Sequence, residues 1–212
     1  FIASLLKNET IYESHAPIYK ETKYGLRFFN RLVKSRYFKK LVVISQALKD
    51  IYLENGFLNS ENIQVAHDGA DEVLDFDSTI DLLGGVNRLK VGYVGHLYKG
   101  KGIEIIAAIA DKVKEDVEFH VIGGNEKDIN IWKNNIVNKN VFFYGYVSHK
   151  KVGNYINALD ICLLPNQKVV FGYGAKSTGM NLSKFTSPLK VFEYMSHKKP
   201  IIASDLPVLK EV

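Results

Sequence analysis

Ser187-Pro188-Leu189-Lys190-Val191-Phe192-Glu193-Tyr194-Met195, followed by Pro200-Ile201-Ile202-Ala203-Ser204-Asp205, decides how the rest of this chain is read. The stretch predicts a loop, a helix and a buried strand. Ser187 suits an N-cap, and Pro188 suits the first turn, where its missing N–H costs nothing. Leu189, Phe192 and Met195 recur at helical spacing and are expected to face inward. Lys190 and Glu193 are three residues apart, hence neighbours at the start of the helix. Free N–H groups at a helix start favour an anion. A glutamate about one turn in can reach a pair of vicinal hydroxyls on the same ligand. Anion plus diol describes a nucleotide diphosphate carried on ribose. The plain alternative is a capped helix whose Lys190 and Glu193 form a solvated pair.

Outward from this stretch, short apolar runs alternate with helical patterns. Thr10 to Glu13, Leu41 to Ile44 and Ile63 to Ala66 are strands of a first series. A helix from about Lys20 to Phe38 carries Tyr24, Phe28, Leu32 and Val33 on its apolar stripe. A second helix is capped by Ser45 and stopped by Gly56. Strands Leu89 to Val94, Val117 to Ile122, Val141 to Tyr144, Ile161 to Leu164 and Pro200 to Ala203 form a second series. Helices begin near Ile103, Glu126 and Ser148, and Asn166 to Thr186 reads as a long loop. Strand–helix alternation implies parallel sheets, so the fold expected is α/β with two Rossmann-like halves. In such sheets ligands bind beyond the carboxyl ends of the strands. The expected division is 1–72 for the first half, 73–88 for a polar linker and 89–212 for the second half.

The 212 residues are 46% hydrophobic and 24% charged, ordinary for a globular protein. No apolar run is long enough for a membrane span, and no signal peptide is visible. The lone Cys162 sits in an apolar strand and reads as core, in keeping with a reducing compartment. Both ends look cut, so a piece of a longer enzyme is expected. The net charge of +5 has one source: eight basic residues and one acid lie between Lys20 and Lys40, and the rest is slightly acidic. A basic helix with aromatic residues suits an anionic membrane surface, while a solvated helix face explains it too. Nucleic acid is not expected, since no recognition motif accompanies the charge.

Gly95-His96-Leu97-Tyr98-Lys99-Gly100-Lys101-Gly102 follows the first strand of the second series. Its glycines permit a tight turn and close approach to a ligand, and its bases suit a diphosphate. It is neither a dinucleotide-binding Gly-x-Gly-x-x-Gly nor a P-loop.

The Pro-Leu-Lys-Val-Phe-Glu-Tyr-Met helix with Lys-Pro-Ile-Ile-Ala-Ser-Asp-Leu-Pro closely resembles the donor-site helix and strand of family-4 retaining glycosyltransferases, which have two-domain GT-B architecture. The Gly95 turn is similar to that family's Gly-Arg-Leu followed by Lys-Gly. The resemblance implies that Lys101 holds the donor diphosphate, with Gly95 in the turn. His96 stands where the family usually has Arg, so Lys99 or Lys190 is expected to help unless His96 is protonated. Val117 to Gly124 and Asn140 to Val147 resemble the next two strands, and Tyr146 is implied to flank the base. Ser187, Pro188, Leu189 and Lys190 are implied to offer N–H groups to the diphosphate, and Glu193 to hold ribose. The family's first glutamate falls on Phe185, so the donor sugar loses its usual contact. Tyr12-Glu13-Ser14-His15 resembles an acceptor-side strand end with a cleft histidine, and Asp68-Gly69-Ala70-Asp71 resembles the Asn-Gly-Val-Asp of the domain boundary.

The resemblance implies a retaining transfer of sugar from a nucleotide sugar to the hydroxyl of a carbohydrate or lipid-linked acceptor. Lys101, Glu193 and His15 are the implied catalytic group. No cofactor and no metal are expected if the cations and helix N–H groups suffice. The implied setting is the cytoplasm, with peripheral contact at the inner face of the membrane through 20–40. A piece lacking much of the acceptor half is expected to be inactive on acceptor. A GT-B nucleotide-sugar epimerase and a non-catalytic nucleotide-binding module are the alternatives.

Overall fold

A computed structural model describes residues 7–18, 23–85, 87–170 and 181–212, with the side chain of Lys23 outside the description. Most of the expected helix tail at the start, residues 20–22 of the basic helix and the middle of the long loop lie outside the described residues. Contacts divide the chain into two units: one holds 1–68, 171–188 and 205–212, the other 69–170 and 189–204.

The first unit has three parallel strands in the order β1-β2-β3: β1 Thr10–Ser14, β2 Phe38–Val43 and β3 Ile63–Val65. Helices α1 (Lys23–Val33) and α2 (Gln46–Glu54) make the crossovers. The core gathers Phe29, Leu41, Val43, Leu48, Tyr52 and Ile63, and also Phe185 from the far end of the chain. Phe29 packs edge-on to Phe57 at 5.7 Å between centroids. Tyr52 is buried, and its hydroxyl meets Ser14 Oγ at 2.8 Å, so the polar tip is satisfied.

The inward face of α1 holds Leu32 and Val33 as expected, but Phe29 stands there in place of Tyr24 and Phe28, a correction to half of the expected stripe. Tyr24 is 71% exposed and Phe28 50%, one flank round from the buried positions. Arg27 and Arg31 are exposed on the same side as Tyr24.

Ser45 caps α2 as expected: its Oγ accepts from the Leu48 N–H at 3.1 Å. The same hydroxyl donates to the Phe185 carbonyl at 2.6 Å. The Glu211 carboxylate accepts from the Gln46 and Ala47 N–H groups at 2.6 and 3.0 Å. An acid at a helix start is favoured by the unpaired amides there. These contacts place 181–188 and 205–212 with the first unit, whereas the sequence reading put all of 89–212 in the second.

The second unit is a five-stranded parallel sheet in the order β6-β5-β4-β7-β8. Its strands are β4 Leu89–Val94, β5 Val117–Ile122, β6 Val141–Gly145, β7 Ile161–Leu164 and β8 Ile201–Ala203. Helices α3 (Ile103–Ala110), α4 (Glu126–Asn135), α5 (His149–Asn157) and α6 (Leu189–Ser196) connect them. Val91, Tyr93, Ile103, Ile106, Phe119 and Val121 form the centre of one core. On the β4 strand Gly92 admits Leu159, whose side chain fills the place a Cβ would take. The expected linker packs on this unit: the Leu83 N–H donates to Tyr144 Oη and the Gly85 N–H to Glu118 Oε1, both at 2.8 Å. The first strand lies at the centre and the order reverses between β4 and β7, the switch point where such sheets bind ligands.

Candidate functional site

The loop leaving β4 is held from below. Tyr93 Oη donates to the His96 carbonyl at 2.7 Å, and Trp132 Nε1 donates to the Leu97 carbonyl at 2.8 Å. Leu97 is buried as the anchor of the turn. Gly123 and Gly124, at the end of β5, allow the loop to lie on them: a Cβ at Gly123 would overlap the Gly95 carbonyl, and one at Gly124 the Leu97 side chain. On the other side of the switch point, the Gln167 N–H donates to the Gly100 carbonyl at 2.8 Å. The exits of β4 and β7 are thus tied together.

Lys101 leaves this turn over the Tyr98 ring, with Nζ 5.3 Å from the centroid. Burial, and then the charge of Lys190, hold its ammonium below the usual lysine range. Lys190 comes from the first turn of α6. Its Cε would stand 2.7 Å from a Cβ on Gly95. Its Nζ lies 3.6 Å from Glu193 Oε2. Gly95, Lys101, Lys190 and Glu193 are therefore brought together at the carboxyl edge of the sheet. The first amides of α6 have no intrahelical acceptor and carry the positive end of the helix dipole.

Helix α6 is oriented by residues the sequence reading placed elsewhere. Val191 and Tyr194 are buried, while Leu189 and Met195 are 52% and 54% exposed and Phe192 is half-buried. Tyr194 Oη accepts from the Val94 N–H at 3.0 Å. The paired residues of β4 and β7 are Val91 with Ile161 and Gly92 with Cys162, so Val94 lies past them and the phenol meets its amide. Nothing in the spacing announced this hydrogen bond across the fold.

Ser187 does not act as the expected cap. It is buried, with its Oγ lacking a hydrogen bond among the described residues. Pro188 directly precedes α6. His96 is exposed and its ring stacks on Tyr98 at 5.7 Å. Tyr146 follows β6 on the same sheet edge and is 83% exposed. His15 belongs to the first unit, at the end of β1, where Nε2 lies 2.9 Å from Glu13 Oε1 at the surface. Phe185 is buried in the first unit's core, so a side chain at that position is committed to packing.

A cleft of ≈ 740 Å³ opens beside Leu189 and Glu193, and His149, Gly153, Asp71 and His197 line it further along. Of these last four the sequence reading named only Asp71, at the domain boundary. It also passed over Asp75-Phe76-Asp77, an Asp-x-Asp run. There Asp75 Oδ1 accepts from the Asp77 and Ser78 N–H groups at 3.0 and 2.9 Å, which closes a local turn. Among the described residues no three His, Cys, Asp or Glu side chains are grouped to hold a metal ion.

Other titratable groups have structural roles. His120 is buried, its Nδ1 2.9 Å from Tyr144 Oη, and burial pushes its pKa down to about 4. Burial pushes the Cys162 thiol up to about 12, as suits a core residue. No described helix is long and apolar enough to cross a membrane.

Comparison with known proteins adds the following. The chain is 32% identical over 154 residues to the uncharacterized glycosyltransferase MJ1069 of Methanocaldococcus jannaschii, covering 66% of this chain and 39% of that protein. Its structure is similar to that of Anabaena HepE in complex with UDP, with a TM-score of 0.70 and 18% identity, covering 99% of this chain and 57% of that one. It is also similar to a glycosyltransferase from Rickettsia africae, with a TM-score of 0.64 and 17% identity, covering 92% of this chain and 51% of that one. The chain thus spans well under two thirds of each. The fold is α/β with parallel sheets and matches GT-B glycosyltransferase structures. Residues 88–212, more than half of the chain, match the family described as Glycosyl transferases group 1, and the chain belongs to that family.

Proposed function

We propose that this chain carries the donor-binding part of a retaining glycosyltransferase of family 4. That enzyme moves a hexosyl group from a nucleotide diphosphate to the hydroxyl of a carbohydrate or lipid-linked acceptor, with anomeric configuration kept. The observation that carries the reading is the meeting of Lys101 and Lys190 beside Gly95, one helical turn from Glu193.

As the bond from the anomeric carbon to the diphosphate breaks, negative charge grows on the leaving oxygen. Lys101 and the first amides of α6 meet that charge in a partly desolvated place, where each is stronger than in water. Glu193 accepts from ribose hydroxyls and fixes the nucleotide. The cleft beside it leaves room for the nucleoside. Side chains and amides, rather than a metal, take the charge in this reading. The UDP held by HepE supports a uridine nucleotide as the first donor to try.

The exposed side of α1, with Tyr24, Arg27 and Arg31, supports an acceptor at an anionic membrane surface. Each basic residue near such a surface contributes about 1 kcal/mol.

The test uses the full-length protein. UDP, GDP and ADP are titrated first, and the sugar nucleotide of the base that binds is then assayed with candidate acceptors, with and without EDTA. Transfer that survives EDTA, with the product's anomeric configuration matching the donor's by NMR, supports the reading. Inversion, or failure to bind any of the three diphosphates, rejects it.

A further inference from the structure

The ion pair of Lys190 and Glu193 is loose. Its atoms are 3.6 Å apart, beyond hydrogen-bond reach, and Glu193 Oε2 is buried with no hydrogen bond among the described residues. A buried carboxylate oxygen left this way is costly. On its other side Lys190 leans over Gly95 toward the turn that holds Lys101, and the two lysines repel. Two ammonium groups and one carboxylate leave the place one negative charge short of balance.

A ligand that brings an anion to the lysines and hydroxyls to the carboxylate relieves both defects. We infer that the Lys190–Glu193 pair is a resting latch that a nucleoside diphosphate opens, Lys190 turning to the phosphates as Glu193 turns to the ribose hydroxyls. The inference rests on the reading of this place as a nucleoside diphosphate site, and it adds that the two halves of the ligand are recognised together. A nucleoside without phosphates must draw Glu193 from Lys190 and leaves the lysine unpaired. A nucleoside diphosphate gives each partner a replacement. Lys190 is thereby a residue that sets specificity for the diphosphate, beyond the simple attraction Lys101 supplies. It also takes up the charge that His96, exposed and stacked on Tyr98, does not bring inward. An ordinary exposed pair three residues apart would do none of this, and its loss would leave binding unchanged.

The experiment compares UDP with uridine, GDP with guanosine and ADP with adenosine on the full-length protein. Diphosphates are measured by direct titration and nucleosides by competition. For the base that binds, Lys190→Ala is expected to cut diphosphate affinity tenfold or more while nucleoside affinity rises; unchanged nucleoside affinity reduces Lys190 to a phosphate contact and overturns the latch. Lys190→Arg is expected to restore most of the diphosphate binding and shows that the site is intact. Should Lys190→Ala leave the diphosphate-to-nucleoside ratio unchanged while Lys101→Ala lowers diphosphate binding, the latch is overturned and the site reading stands. Equal weakening of both ligands by Lys190→Ala overturns it as well. Absence of binding of all three diphosphates to the unchanged protein overturns the site reading and the latch with it.

Discussion

Lys190 passes over Gly95 so closely that a methyl group there would lie 2.7 Å from its Cε and 2.9 Å from Tyr93 Oη. The lysine can swing away, but the tyrosine is buried and its hydroxyl is bonded to the His96 carbonyl. Gly95→Ala is therefore expected to push Lys190 out of the site and strain the turn. Overpacking of this kind costs about 1–3 kcal/mol. Titration should show nucleoside diphosphate binding weakened by about tenfold or more, and urea unfolding should show a stability loss in that range.

Tyr194→Phe removes one oxygen from a buried place and leaves the Val94 amide without its acceptor. An unsatisfied buried donor costs about 1–3 kcal/mol. The expected outcome is a lower urea midpoint with an unchanged slope, together with weaker diphosphate binding, because Val94 leads directly into the Gly95 turn.

Glu193→Gln is expected to weaken nucleoside and nucleoside diphosphate alike by about ten- to a hundredfold, in keeping with about 1.5–3 kcal/mol for hydrogen bonds to a charged group. Lys101→Ala is expected to weaken only ligands with phosphates. Lys101 also predicts proton uptake. Its ammonium is held below the ordinary 10.5 by burial and Lys190, and a bound diphosphate raises it again. Binding therefore takes up protons at pH values between the depressed value and the value in the complex, and little at lower pH where Lys101 is already charged. Titration in buffers of differing ionisation enthalpy reads the proton count directly.

His120 supplies a pH dependence unrelated to the site. Its folded pKa of about 4 lies below the ordinary 6.5, so the unfolded chain binds more protons between these values. Stability is complete above about 6.5 and falls as the pH drops toward 4. One pKa unit is about 1.4 kcal/mol, so the loss from this group is at most about 3.5 kcal/mol. Glu118 and Asp160 oppose the shift and Lys90 adds to it. Urea midpoints at pH 7 and pH 4.5 should differ by less in His120→Gln than in the unchanged protein.

The eight strands among the described residues were legible, the central ones because parallel strands buried on both faces leave apolar runs such as Leu89 to Val94 and Ile161 to Leu164. The helix starts after Ser45 and Gly102 were legible as well. Which face of a helix turns inward was less so. Periodicity marks an apolar stripe, but in α6 Leu189 and Met195 compete with Val191 and Tyr194, and the hydrogen bond to Val94 decides between them. In α1 the same ambiguity lies between Phe28 and Phe29. At the candidate site, Lys101, Lys190 and Glu193 come together as their motif suggested. Ser187 differed, since a residue type suited to capping was instead buried by its neighbours in the fold. The cleft residues His149 and Gly153 carry no local pattern, because a cleft is made by elements distant in sequence.

The tie from Ser45 to the backbone of Phe185 closes one route for redesign. An acidic side chain grafted at 185 would arrive among Leu41, Leu48 and Ile63, a setting that rejects an unpaired carboxylate. The exchange would cost the first unit its packing. Any redesign of this chain therefore leaves position 185 as it is.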